Sequence, residues 1–171
     1  MSIAYHNGQF LPLAEARVSV LDRGFLFAEA VYEVTAVIDG RLIDSGSHLA
    51  RLERSAAAIG LSPPISSGEI EAVQKELIAQ NGLQEGLIYL QLTRGADVSR
   101  DFLPSADLQP TLVMFTQAKS FLASPAVQSG IAVITTPDLR WARRDIKSVA
   151  LLAQAMAKQI AAEAGAQEAW M

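Results

Sequence analysis

The first part of the chain alternates short apolar runs with turn dipeptides, which predicts antiparallel strands. Asn7-Gly8 predicts a hairpin turn within Tyr5–Phe10, and Asp39-Gly40 predicts a second turn, between Val31–Ile38 and Arg41–Asp44. Runs that are rich in β-branched or other apolar residues predict the strands Val18–Leu21, Val31–Ile38, Leu87–Thr93, Thr111–Thr116 and Ile131–Thr135.

Three segments show apolar residues at helical spacing. The first begins at a cap on Ser47 and ends at Gly60, and the second begins at a cap on Ser67 and ends at Asn81-Gly82. The third, Ser148–Ala164, is almost entirely apolar and predicts a helix that is buried on most sides. A polar stretch between two strands, Arg94–Gln109, predicts a long loop of the kind that often carries function.

These elements predict a mixed fold, α+β or α/β, with two domains. Residues 1–118 form the first domain, and residues 119–130 read as a linker because they hold few large apolar groups. Residues 131–171 then begin a second domain with a strand, a helix and a strand that starts at Glu168. A sheet with so few strands lacks partners, so the second domain is expected to be incomplete in this chain.

Composition and charge exclude several classes of function. Half of the 171 residues are apolar and 19% are charged, which predicts a folded core. The net charge of -4 and the absence of a basic block give no reason to expect nucleic acid or a membrane surface as a partner. Because neither a signal peptide nor a membrane-spanning apolar run is visible, a cytoplasmic protein is expected. No cysteine is present and no metal-ligand spacing appears, so no metal site is expected.

The segment Arg140–Ser148 carries the most suggestive chemistry. It places four cations, one anion and a tryptophan between a predicted strand and the apolar third helix. Burial beside that helix and repulsion from Arg143 and Arg144 would disfavour the ammonium form of Lys147. A neutral amine is what attack on a carbonyl requires, so Lys147 is a candidate for forming a Schiff base. The alternative is an ordinary surface loop with solvated charges, since ion-pair networks are equally crowded.

Taken together, four motifs resemble those of the fold-type IV, or class IV, aminotransferases, and most closely the D-amino acid aminotransferases. They follow the family's order and spacing over essentially the whole chain. The motifs are Leu21-Asp22-Arg23-Gly24-Phe25-Leu26-Phe27 with Val31-Tyr32-Glu33-Val34; His48-Leu49-Ala50-Arg51-Leu52; Thr93-Arg94-Gly95; and Arg140-Trp141 through Asp145-Ile146-Lys147-Ser148. The sequence departs from the family at Ala28-Glu29-Ala30, where Gly-Asp-Gly or Gly-Asp-Ser is usual, and at Phe102, where the loop usually has histidine.

The resemblance implies a cofactor, pyridoxal 5'-phosphate (PLP), and roles for five residues. Lys147 resembles the lysine that holds PLP as a Schiff base and moves the proton at the substrate Cα. Arg51 resembles the arginine that contacts the PLP phosphate, and Arg140 matches an arginine near the cofactor ring. Tyr32 resembles a tyrosine beside both cofactor and substrate. Arg100 resembles the loop arginine that helps the partner subunit trap the substrate carboxylate.

The resemblance also implies a homodimer that exchanges amino groups between amino acids and 2-oxo acids. Family members continue past Met171 with the glutamate that pairs with the pyridine nitrogen and a loop that binds the phosphate. Several alternatives stay open: a branched-chain amino acid aminotransferase, an amine transaminase, an aminodeoxychorismate lyase, and a truncated scaffold without catalysis.

Overall fold

The computed structural model describes residues 2–171, which fall into two compact units. One unit runs to Lys119 and also includes Ile146–Val149, whereas the other comprises Ser120–Asp145 and Ala150–Met171. The division expected from the sequence, with its linker at residues 119–130, stays a prediction.

The first unit is built on an antiparallel sheet. Its strands are β1 (Ile3–His6), β2 (Gln9–Pro12), β3 (Ala30–Ile38), β4 (Arg41–Leu42), β5 (Gly86–Thr93) and β6 (Thr111–Ala118). They are ordered β2-β1-β6-β5-β3-β4 across the sheet. The two central strands, β5 and β6, pair along their whole length, and β3 pairs with the other edge of β5. The long strand β3 is therefore held within the sheet, and it is this strand that positions the candidate site.

Both predicted hairpins are confirmed, and their turns explain why. Asn7 and Gly8 have φ of 45° and 93°, and Asp39 and Gly40 have φ of 50° and 69°. Two consecutive residues with positive φ give the turn whose twist matches the flanking strands, and Asn-Gly and Asp-Gly adopt it at least cost. The second hairpin is short, since β4 ends at Leu42.

Three α-helices accompany the sheet, α1 (Arg23–Phe27), α2 (Ser45–Ala58) and α3 (Ser67–Asn81), together with a 3-10 helix at Leu13–Glu15. The predicted caps on Ser47 and Ser67 are wrong. Helix α2 begins earlier, after Asp44 in a left-handed conformation, and α3 is capped by Ser66. The Ser66 hydroxyl accepts from the Glu69 amide while the Glu69 carboxylate accepts from the Ser66 amide, and this reciprocal capping fixes the start of α3.

The core of the first unit lies between the sheet and helices α2 and α3. Along β3, Val31, Glu33 and Thr35 are buried on the helix side, whereas Tyr32 and Val34 are half-buried on the opposite face. Successive side chains of β3 thus point to opposite faces of the sheet. The buried apolar cluster includes Val31, Leu52, Leu77, Leu90, Leu92, Met114 and Ile146.

Val18–Leu21 does not form a strand, so that prediction is wrong. The Ser19 hydroxyl accepts from the Leu21 amide at 3.1 Å, and the Ser19 carbonyl accepts from the Asp22 amide at 3.0 Å. These local bonds turn the chain into α1, and such side-chain bonds compete with a strand ladder. The apolar character of the segment misled the prediction, because Val20 is 72% exposed.

The second unit contains α4 (Pro125–Ser129), β7 (Val133–Thr135), α5 (Leu152–Glu163) and β8 (Glu168–Trp170). Strands β7 and β8 pair in parallel, as a strand–helix–strand connection requires, and the strand expected from Glu168 onward is confirmed. The third predicted helix starts later than expected, at Leu152. Ser148 and Val149 instead make backbone contacts with β3, within the first unit.

Helix α5 is also less buried than the sequence predicted. Ala157 and Ala161 are buried, but Leu152, Met156 and Ile160 are 75%, 49% and 47% exposed. Small alanines make only a narrow contact surface, so the larger apolar residues of this helix remain outside it. The sequence showed that the helix is apolar but could not show which side is covered.

Candidate active site

A four-residue segment, Ile146–Val149, is bound to the beginning of β3. The Tyr32 amide donates to the Lys147 carbonyl at 3.0 Å, and the Val149 amide donates to the Ala30 carbonyl at 3.2 Å. The Lys147 amide donates to the hydroxyl of Ser55 on α2 at 3.1 Å. Ile146 is 4% exposed and belongs to the core cluster. The backbone of Lys147 is therefore fixed from both the sheet and a helix.

The Lys147 amine lies against an aromatic ring. Its Nζ is 4.1 Å from the centroid of the Tyr32 ring, and Lys147 itself is half-buried. Tyr32 stacks in turn on Tyr89, with ring centroids 5.7 Å apart. Burial, and to a lesser extent the charge of Tyr32, raises the pKa of the Tyr89 hydroxyl to about 12. The amine thus faces an ordered pair of aromatic rings on the face of the sheet opposite helices α2 and α3.

A buried carboxylate organises the next part of the strand. Glu33 is 1% exposed and accepts two hydrogen bonds from Arg51, from Nε and Nη2, both at 2.6 Å. His48 Nδ1 is 2.8 Å from the same carboxylate. Burial tends to raise the pKa of Glu33, but the hydrogen bonds and charges of Arg51 and His48 lower it more, so its pKa lies below the ordinary value.

Arg51 keeps part of its guanidinium accessible. Its side chain is 41% exposed, although two of its nitrogens bind Glu33. The hydrogen bonds from Arg51 to Glu33 raise the pKa of Arg51, so it stays cationic. A planar guanidinium held this way presents its remaining donors in a fixed direction, which suits binding to a phosphate.

Lys147 and Arg51 lie at the same end of β3. The first contacts Tyr32, and the second binds the adjacent Glu33. Helix α2 links them as well, since Ser55, which binds the Lys147 amide, is one turn beyond Arg51. An amine for the carbonyl and a guanidinium for the phosphate are two of the groups that PLP needs, so the chemistry of these two residues fits part of that cofactor.

The cations near Lys147 in sequence are engaged by acids. Arg140 binds Asp138 through two nitrogens, at 3.0 and 2.9 Å, and Arg143 binds Asp145 at 3.0 and 2.8 Å. The hydrogen bonds from Arg140 lower the pKa of Asp138 to about 2. The crowded charges of this segment thus form local ion pairs, with Asp145 as the partner of Arg143 and Asp138 as the partner of Arg140. The roles expected for Arg140 and for the other candidate residues stay predictions.

Arg100 lies on the long loop between β5 and β6, and it is exposed. Its guanidinium carbon is 5.0 Å from the centroid of the Phe27 ring and 5.6 Å from that of Phe102. Phe102 lies where the family that the sequence resembles usually has histidine. Its contact with the guanidinium helps to hold Arg100 in place. Within the described residues 2–171, no acid or histidine cluster could hold a metal and no helix is long and apolar enough to cross a membrane.

Sequence reasoning missed Glu33 and Ser55 as parts of the site. A glutamate among the inward positions of an apolar strand was the available signal, because a buried carboxylate requires cationic partners. Ser55 gave no comparable signal. Its hydroxyl matters only because Lys147, distant in sequence, donates to it.

The chain resembles known proteins along nearly its whole length. The family model for amino-transferase class IV matches residues 30–171. The D-alanine aminotransferase of Bacillus licheniformis is 39% identical over 165 residues, which cover 95% of this chain and 57% of that protein. The D-alanine aminotransferase of Staphylococcus haemolyticus is 36% identical over 170 residues, covering 99% of this chain and 60% of that protein.

The fold is also found among solved structures. The branched-chain amino acid aminotransferase of Escherichia coli superposes with a TM-score of 0.87 at 19% identity, covering 98% of this chain and 58% of that one. Identity this low supports a common fold and nothing finer. The chain spans about 60% of the length of the curated relatives that it matches.

Proposed function

The chain belongs to the amino-transferase class IV family, and from that premise we propose that the protein is a PLP-dependent aminotransferase in which Lys147 carries the reactive amine. The mixed α/β fold matches that of the family. The observation that carries the proposal is the placement of the Lys147 amine against Tyr32, on a backbone held by both β3 and α2.

Each candidate residue contributes a separate function in this proposal. Arg51, fixed by Glu33, binds the phosphate, and Tyr32 forms a wall beside the reacting groups. PLP supplies an aldehyde that condenses with amines and a ring that withdraws electrons from the substrate Cα. With PLP bound, the Lys147 amine would hold the cofactor and, when free, would take the proton at the substrate Cα and return it, which requires this amine to stay within reach of that carbon.

We propose D-amino acids, of the D-alanine type, as the amino donors and 2-oxo acids as the acceptors. The relatives at 36% and 39% identity carry the name D-alanine aminotransferase, which supports this choice. Arg100, a cation held at the surface of its loop, is the proposed partner of the substrate carboxylate. The homodimer, the role of Arg140 and the cytoplasmic location stay predictions.

A covalent test distinguishes this proposal from a scaffold without catalysis. The full-length protein is incubated with PLP, reduced with borohydride, digested and analysed by mass spectrometry. We expect the adduct on Lys147. The Lys147→Ala variant should fold normally by circular dichroism, carry no adduct and lack transamination, whereas Lys75→Ala, on an exposed side chain, should behave as the wild type. An adduct on another lysine, or none, would contradict the proposal.

Substrate comparison separates the alternatives within the family. D-alanine, L-leucine, a simple amine and aminodeoxychorismate are offered to the PLP-loaded protein, and the products are identified. We expect the D-amino acid to react fastest. A branched-chain amino acid aminotransferase would instead prefer L-leucine. A lyase would eliminate pyruvate without requiring a 2-oxo acid acceptor.

A further inference from the structure

Arg23, the first residue of α1, is almost entirely buried and is bound to the long loop. It is 1% exposed, and its Nη1 and Nη2 donate to the carbonyls of Asp101 and Phe102 at 2.6 and 2.8 Å. Its Nε binds the Glu29 carboxylate. A guanidinium is suited to this task because its rigid fork of donors can reach two successive carbonyls at once.

The loop is closed at a second place, by Asp97. The Asp97 carboxylate accepts from the Ser105 hydroxyl at 2.6 Å and from the Ser105 amide at 3.1 Å. Arg23 Nη1 is 3.5 Å from the same carboxylate. The ends of the segment Asp97–Ser105 are thus joined to each other, and its middle is joined to Arg23. This pattern describes a loop with a defined conformation.

The same arrangement sets the position of Arg100. Phe27, the last residue of α1, contacts two guanidinium groups: that of Arg23 at 4.7 Å and that of Arg100 at 5.0 Å. Phe102, whose carbonyl binds Arg23, also has its ring 5.3 Å from Phe27 and 5.6 Å from Arg100. Moving the carbonyls that Arg23 holds would therefore move the aromatic pair on which Arg100 rests.

We infer that Arg23 is a positioning residue for substrate recognition: through the loop it fixes the place at which Arg100 meets the substrate carboxylate. This inference rests on the proposed function. Stability alone is a poor reason to bury an arginine, because its desolvation opposes what its bonds contribute and an apolar side chain could fill the same space. What an apolar side chain could not do is hold two consecutive carbonyls in one orientation.

A double-mutant cycle tests the coupling in the PLP-loaded full-length protein. Arg23→Lys keeps the charge but offers fewer donors in a different geometry, and Arg100→Met removes the proposed contact. We expect Arg23→Lys to raise KM for D-alanine about tenfold, the equivalent of one charge-assisted hydrogen bond, with kcat changed less than about twofold. In the Arg100→Met background the same substitution should add little. Arg54→Lys, an exposed substitution on α2, is the control and should change neither constant.

Two further measurements keep the result interpretable. Hydrogen exchange at the amides of Val98, Leu103 and Ser105 should be faster in Arg23→Lys, because these amides bond within the loop. Should Arg23→Lys fail to fold, Ser105→Ala opens the other closure of the loop and should raise KM in the same direction by a smaller factor. The inference would be overturned if Arg23→Lys or Ser105→Ala changed KM equally in the wild type and in the Arg100→Met background. A fall in kcat at constant KM would overturn it as well. A wild-type protein without transaminase activity would instead refute the proposed function, and this inference with it.

Discussion

The bond between Ser55 and the Lys147 amide offers a measurable test of how the segment Ile146–Val149 is held in place. The Ser55 residue is only 2% exposed, and its hydroxyl accepts a hydrogen bond from the Lys147 amide at 3.1 Å. Replacing Ser55 by alanine removes this acceptor and leaves the amide without it. A buried donor left without a partner costs about 1–2 kcal/mol. Ile146 remains in the core and the two bonds between the segment and β3 remain. The segment should therefore stay in place but open more often, by roughly 5–30-fold.

Hydrogen exchange measures how often the segment opens, at amides whose own hydrogen bonds the substitution leaves in place. Tyr32 and Val149 each donate across the junction of the segment with β3, so their amides exchange when the segment opens. We expect both to exchange roughly 5–30-fold faster in Ser55→Ala, with strand β5 unaffected. Ser47→Ala, on the exposed part of the same helix, is the matched control and should leave both rates unchanged. Unchanged protection at Tyr32 and Val149 would show that the Ser55 bond does not hold the segment.

Three further predictions concern stability and titration. Ala28 has φ 55° and ψ 26°, so Ala28→Gly relieves roughly 1–2 kcal/mol of left-handed strain. After the entropy cost of glycine is subtracted, the variant should be more stable by about 0.5 kcal/mol in urea unfolding, whereas the control Ala57→Gly, in exposed helix, should be less stable by about 1 kcal/mol. Equal losses of stability in the two variants would refute this prediction. The pKa of Glu33 is lowered in the folded state, so the stability that its carboxylate contributes is present above the ordinary pKa of about 4.5 and is lost as the pH falls. Glu33→Gln should therefore be less stable than the wild type at pH 7, and its stability should fall less steeply in acid. Parallel stability profiles of the two proteins in acid would contradict this prediction. The pKa of Tyr89 is raised to about 12, so the stability that its neutral hydroxyl contributes is present below pH 10 and is lost as the pH rises toward 12. An absorbance titration should show a tyrosine that ionises near pH 12, and this step should be missing in Tyr89→Phe. Ionisation of every tyrosine at the ordinary pKa would exclude this prediction.

Local patterns predicted the sheet well because each depends on neighbouring residues. The dipeptides Asn7-Gly8 and Asp39-Gly40 determine their own backbone conformation, and the alternation along β3 follows from one covered face. The errors arose where a distant partner decides the outcome. Ser148 and Val149 belong to an apolar run that suits a helix, yet backbone groups of β3 bind them and the helix can begin only afterwards.

The candidate site follows the same rule. Lys147, Tyr32 and Arg51 were identified through the motifs that resemble a known family, and the structure brings each of them to the beginning of β3. Their supporting residues could not be identified in this way. Glu33 binds an arginine on a separate helix, and Ser55 binds a backbone amide 92 positions away. Contacts of this kind depend on the folded arrangement, which a single sequence does not reveal.

The segment Ile146–Val149 has a consequence for how such proteins can diversify. The chain on either side of it belongs to the second unit, yet these four residues are built into the first. The backbone of Lys147 is thus positioned by its contacts with β3 and α2 in the first unit. An engineer who exchanges the second unit for that of a relative could replace Ser120–Asp145 and the residues from Ala150 onward while keeping Lys147 in register with β3. Recombination boundaries that respect Ile146–Val149 should accordingly give more active hybrids than boundaries that cut through it.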